Sequence, residues 1–142
     1  MTCVVVPAGE QKRTLQGLTN FLGISATSAG SQGLCRHLVV FEPGERANAH
    51  LHEGHETALY QSEGTVGMWF GEQLEQYVEI HPGDFLYIPA GMPHKPCNAS
   101  STERAAAIAA RTDPNEQESV VLLPELDRLL DERVSGGGKV VT

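Results

Sequence analysis

Cysteine is scarce in this 142-residue chain: Cys3, Cys35 and Cys97, an odd number with no CxxC pair. That disfavours a disulfide framework and makes a reducing compartment the default expectation. Long apolar runs are missing as well. None approaches the ~18 residues of a membrane-spanning helix. The opening stretch MTCVVVPAGEQKR places its bases after a short apolar patch, the reverse of a secretory leader. A cytoplasmic location is expected. Basic residues are few, ten Lys and Arg against eighteen Asp and Glu, for a formal net charge of −8. A chain this acidic repels phosphate backbones and anionic membrane surfaces, so neither nucleic acid nor membrane is expected as a partner. No internal repeat of solenoid period is present.

What remains is one domain, long enough to bury a real core. Its apolar residues mostly alternate, or form short runs bounded by Gly, Pro, Asn or Ser, which is strand behaviour. Strands are expected at Cys35–Phe41, Asn48–His52, Thr57–Gln61, Asp84–Ile88, His94–Asn98 and Glu103–Ala110. Thr65–Phe70 and Gln76–His81 read as a hairpin around Gly71-Glu72-Gln73. Cys3–Val6 is a further N-terminal strand candidate. The alanine-rich run Ala105–Ala110 has helix propensity, but its length between turns and its small side chains suit a barrel wall. Closely spaced short strands imply a sandwich or barrel. Pro124–Val134 differs: Leu126, Leu129, Leu130 and Val134 share one helical face, Pro124 suits the first helical position and Gly136-Gly137-Gly138 a stop. Residues 135–142 are expected to be mobile.

Five of the six histidines fall between His50 and His94. On a strand, side chains two apart share a face, so His50 and His52 project together and can share a metal ion. By itself an HxH pair fits equally well two surface or hydrogen-bonded histidines. Glu56 follows four residues after His52, and His94 follows a stiff Pro89-Ala90-Gly91-Met92-Pro93 turn.

The segment Gly44, His50, His52, Glu56 resembles the first motif of the cupin family, G(X)5HXH(X)3,4E(X)6G, with the closing glycine, Gly64, one residue late. Gly83, Pro89, Gly91, His94 and Asn98 match the second, G(X)5PXG(X)2H(X)3N, and residues 65–82 resemble the variable hairpin between the two. The resemblance implies an all-β fold: a double-stranded β-helix, or jelly-roll, barrel over residues 30–112. An N-terminal strand and arm region (1–29) would precede it, and a C-terminal strand, short helix and mobile tail (113–142) would follow. It implies His50, His52, Glu56 and His94 as ligands of one divalent metal ion. Similar cupins with this ligand set favour manganese, with iron, nickel and zinc as the other candidates. The motif contains no thiolate, which disfavours soft metals.

Around that centre, His55 competes with Glu56 as ligand or supports it from behind. His37 reads as a hydrogen-bonded histidine or as pocket wall. Arg46 and Arg36 could hold a substrate carboxylate. Tyr60 is a further pocket candidate, together with Met68, Trp69, Phe85 and Tyr87. Glu53 and His81 read as surface. No catalytic residue beyond the metal ligands is identifiable. The expected function is a metal-dependent enzyme, a dioxygenase or a decarboxylase, acting on a small anionic oxygen-rich metabolite. The alternatives are a non-catalytic small-molecule-binding or sensing protein and, with less support, a sugar-phosphate isomerase or epimerase. The resemblance also implies a homodimer, with Cys3–Val6 and the Leu126 helix as contact candidates.

Overall fold

The computed structural model of the chain describes residues 2–9, 11–115 and 119–135. Among them are the strands β1 (Gln11–Arg13), β2 (Thr19–Ile24), β3 (Cys35–Phe41), β4 (His50–His52), β5 (Thr57–Glu63), β6 (Val66–Phe70), β7 (Gln76–Ile80), β8 (Phe85–Ile88), β9 (His94–Asn98), β10 (Ala105–Arg111) and β11 (Val120–Leu122). The helices are α1 (Ala26–Ala29) and α2 (Pro124–Ser135). The strands form two antiparallel sheets, ordered β1-β2-β3-β10-β5-β8 and β11-β4-β9-β6-β7. The fold is the expected all-β jelly roll with a short C-terminal helix.

Alternation along each strand builds the core. Val39 and Phe41 on β3, Val66 and Met68 on β6, Ile80 and Ile88 all turn into the space between the sheets. Ala105–Arg111 is central in its sheet, paired on one side to β3 and on the other to β5. Two hydrogen-bonded neighbours outweigh the helix propensity of its alanines. A second cluster forms on the far side of the five-stranded sheet, where Leu126 and Leu130 of α2 pack on Ala49 and Leu74, with Trp69 alongside. Gly64 closes the turn between β5 and β6 at φ +66°, and a Cβ there would lie 2.6 Å from the Arg104 carbonyl oxygen. The late glycine thus still serves a turn that no other residue fits.

Two expectations change. Cys3–Val6 is not a strand: it pairs with no strand among the described residues, and Cys3, Val4 and Val5 are exposed. The N-terminal pairing begins instead at β1 and β2, which extend the sheet from β3. The second expected strand starts at His50 and not at Asn48, because the Asn48 N–H donates to the Gln16 carbonyl and the Ala49 N–H to the Asp127 carboxylate. The expected helix stop at Gly136-Gly137-Gly138 and the tail beyond it lie outside the described residues. No described helix is long and apolar enough to cross a membrane.

Candidate metal centre

β4 and β9 are neighbours, and their register sets His50 opposite His94. With His52 two residues along β4, three imidazoles converge on the inner face. Their nearest ring nitrogens all lie within 4.8 Å of one another. All three are buried. Backbone carbonyls orient two of them: His50 Nδ1 lies 2.7 Å from the Asn48 oxygen, and His94 Nδ1 2.8 Å from the Met92 oxygen. A proton on each Nδ1 leaves the Nε2 lone pairs free to bind a metal. The Pro-rich turn is fixed to the HxH strand by the Gly91 N–H, which donates to the His52 carbonyl at 2.9 Å. Asn98, which closes the second motif, ties β9 to the end of β3: its amide reaches the carbonyls of Phe41 and Glu42 at 3.1 Å each.

Burial, reinforced by the Arg111 charge, holds His94 near pKa 4 although its Nδ1 bond to the Met92 carbonyl acts the other way. Burial and neighbouring cationic groups push His50 and His52 down too. All three are therefore neutral at neutral pH, the form that binds metal. His52 Nδ1 is buried without a hydrogen-bond partner among the described residues. Three neutral, converging imidazoles and an orphaned ring nitrogen fit a divalent cation well.

The trio opens into a cavity of about 630 Å³, counted out to its mouth. Its walls are mostly apolar, with Val39, Leu59, Met68 and Ile88 among them, and its polar lining includes His37, Thr57 and Arg111. Arg111 is buried, donates from Nε to Thr57 Oγ1 at 3.1 Å, and is the one lysine or arginine lining the cavity among the described residues.

Several sequence candidates stand elsewhere. Glu56 is exposed and outside the histidine group, its carboxylate accepting the Tyr87 hydroxyl at 2.7 Å. The pleat explains it: Thr57, Leu59 and Gln61 line the cavity, so positions of Glu56 parity face outward. Tyr60 shares that parity and stacks on Phe85 outside the barrel, ring centroids 5.0 Å apart. Trp69 also turns outward, against Tyr77 and the α2 cluster, while Met68 lines the cavity. His55 is half-buried, 3.9 Å from Asp113. Arg46 and Arg36 are exposed, Glu53 likewise, and His81 sits on the surface between Glu79 and Asp84. His37 is cavity wall. Burial and Arg111 push it down to about pKa 4, and its Nδ1 has no hydrogen-bond partner.

Sequence reading missed Arg111, Gln16 and Asn20, all buried and all on the cavity. Arg111 was findable by parity, since it continues the inward positions Ala107 and Ala109.

A protein-family model described as a cupin domain matches residues 37–110. A quercetin 2,3-dioxygenase from Bacillus subtilis (strain 168) is 32% identical over 93 residues, which is 63% of this chain and 26% of that protein. The chain thus spans about a quarter of that relative's length. Among solved structures, oxalate decarboxylase from Bacillus subtilis superposes with a TM-score of 0.70 at 18% identity, covering 84% of this chain and 31% of the other. The polyketide cyclase RemF from Streptomyces resistomycificus gives 0.63 at 22% identity, covering 87% and 85%. At these identities the superpositions speak for the fold.

Proposed function

The chain belongs to the cupin family, and on that premise we propose that it is a metal-dependent enzyme acting on a small, anionic, oxygen-rich metabolite, with dioxygenase- or decarboxylase-like chemistry. The observation that carries the reading is the convergence of His50, His52 and His94, buried and neutral, in one cavity with Arg111. The three histidines hold the ion. Glu56 would have to leave Tyr87 and cross to the inner face to join them as fourth ligand. Manganese is our preferred metal over iron, nickel and zinc. Bound there, such an ion would supply a Lewis acid and a template for substrate oxygens, or an electron path to dioxygen. The protein's own contributions are separate. Carbonyls of Asn48 and Met92 hold two imidazoles in orientation. Arg111 places a fixed cation where an anionic group of the substrate can neutralise it. The apolar walls exclude water and strengthen those charges.

The relatives are a dioxygenase, a decarboxylase and a cyclase, so the fold does not choose the reaction. Turnover of a panel of hydroxy acids, keto acids and hydroxylated aromatics by manganese- or iron-loaded protein, with and without dioxygen, tests the reading. Oxygen-dependent turnover supports a dioxygenase, and oxygen-independent CO2 release a decarboxylase. A second reading, a non-catalytic binding or sensing protein, is favoured by one observation: no carboxylate lines the cavity among the described residues. A metabolite co-purifying with the protein and recovered unchanged, with no turnover of any panel member, would support it. A homodimer is also proposed. The edge strand β8 leaves Phe85 81% exposed beside Tyr87, a surface costly to leave in water. A monomeric mass by light scattering at micromolar concentration would overturn it.

A further inference from the structure

On the cavity wall, at Gln16, Asn20 and His37, three buried polar atoms lack any hydrogen-bond partner among the described residues: Gln16 Oε1, Asn20 Oδ1 and His37 Nδ1. The residues are only 6%, 3% and 5% exposed. All three line the same cavity as the histidine trio. A folded protein leaves few such groups unsatisfied, because each has given up its water without a replacement. Here these three share one cavity, in addition to His52 Nδ1 of the trio.

Their placement follows from the topology. Asn20 lies on β2 opposite Val39 of β3, and His37 lies two residues back along β3, opposite Leu22. Gln16 belongs to the turn between β1 and β2. Its own carbonyl accepts the Asn48 N–H at 2.6 Å, which sets the turn against the chain leading into His50. Beside them, β10 presents two methyl groups: Ala109 pairs with His37 and Ala107 with Val39, and both line the cavity. Large side chains there would fill the space that the orphaned groups face. Gln16 and Asn20 precede the segment that the family model matches, and His37 begins it.

We propose that Gln16, Asn20 and His37 form a polar subsite that binds hydroxyl groups of the ligand, at a different part of the cavity wall from the metal-binding histidines. This rests on the reading of the cavity as the ligand site. The amide oxygens accept, so the ligand must donate. Rotating either amide about its last bond exchanges oxygen for NH2 and keeps a polar atom in place. The rest of the cavity lining is mostly apolar, with Val39 and Leu59 among it. The ligand class is therefore a ring-sized apolar body with chelating oxygens at one end and at least one further hydroxyl elsewhere on its rim. A small, fully polar dicarboxylate would leave these groups unpaired.

A matched pair of chelators tests this. Kojic acid and allomaltol share the hydroxypyranone head that binds divalent metals, and differ only by a hydroxyl in place of a hydrogen on the side methyl. Each is titrated calorimetrically into manganese-loaded full-length protein, into Gln16→Leu and into Asn20→Leu. The expected result is a preference for kojic acid of about tenfold in the parent. That preference should fall below about threefold in either variant, with allomaltol affinity unchanged. A second measurement is the melting temperature of the ligand-free proteins. An amide kept for a ligand costs the free protein stability, so an apolar leucine in its place should hold or raise the melting temperature. An amide kept for the fold should lower it. Equal affinities in all three proteins, together with lowered melting temperatures in the variants, would overturn the subsite and leave the metal-site reading standing. Failure of both chelators to bind protein shown by elemental analysis to hold metal would overturn both.

Discussion

The Tyr87 hydroxyl donates to the Glu56 carboxylate at 2.7 Å on the outer face of the six-stranded sheet, and that bond holds the one acidic residue of the metal motif outside the barrel. The β5 pleat sends Thr57 inward and its predecessor outward. A three-histidine set then predicts that Glu56→Gln and His55→Ala keep most of their metal. His50→Ala or His94→Ala should lower affinity by more than ~100-fold, since even outer partners of ligands are worth ~10–100-fold. Elemental analysis after dialysis against a weak chelator separates the cases. Loss of metal in Glu56→Gln to the level of His94→Ala would mean that the carboxylate crosses to the inner face when metal binds.

Arg111 predicts a division between metal and anion binding. It lines the cavity, is buried, and its charge depresses His37, His50, His52 and His94. Arg111→Gln removes that charge and keeps a donor near Thr57. Metal content should be retained or rise, because a cation beside a cation site is removed. Affinity for an anionic chelator such as oxalate should fall by about tenfold or more. Titration of oxalate into metal-loaded parent and variant measures this; an unchanged oxalate affinity would remove Arg111 from the ligand's surroundings.

Legibility in the sequence divides along the same line. β3 and β9 appear at Cys35–Phe41 and His94–Asn98 as read from the sequence, and α2 starts at Pro124, because turn residues bound the two strands and the leucines of α2 recur at helical spacing. His50, His52 and His94 come together because a strand period and a stiff turn are local properties. β2 was unreadable for the opposite reason. Thr19 and Asn20 are polar and buried, so the strand shows no apolar alternation, and its inward face serves a cavity that no local pattern reveals. Arg111 misleads in the same way, a charge that reads as surface and lies inside. The side on which Glu56 falls depends on where β5 begins, and one residue of register reverses every side chain.

Lys95 and Asp127 tie α2 to the strands that carry the histidines. The Lys95 ammonium donates to the Asp127 carboxylate, which also accepts the Ala49 N–H at 3.1 Å. Lys95 follows His94 and Ala49 precedes His50, so the pair braces both strands from behind. Lys95 is buried, and Asp127→Ala would strand its charge. A loss of about 3 kcal/mol is expected. Adding Lys95→Met should recover most of it, because the stranded charge is then gone. Urea denaturation of the single and double variants checks this; a double variant as unstable as the single would show that the charge is not what the carboxylate stabilises.

The buried imidazoles predict an acid-sensitive metal-free protein. Burial and Arg111 lower His37 from 6.5 to about 4, and burial and Arg111 likewise bring His94 to about 4. Between those values the unfolded chain binds protons that the folded state refuses. Stability is therefore fully present above about pH 6.5 and is lost as the pH falls toward and through 4. By pH 5 each of the two should have cost about 2 kcal/mol. His37→Gln, which takes up no proton, should flatten the fall between pH 7.5 and pH 5 by about that amount. Urea midpoints of the chelator-treated protein and variant at the two pH values give the comparison. Parallel falls in both proteins would show that His37 binds its proton equally well folded and unfolded, which its place in the cavity wall should prevent.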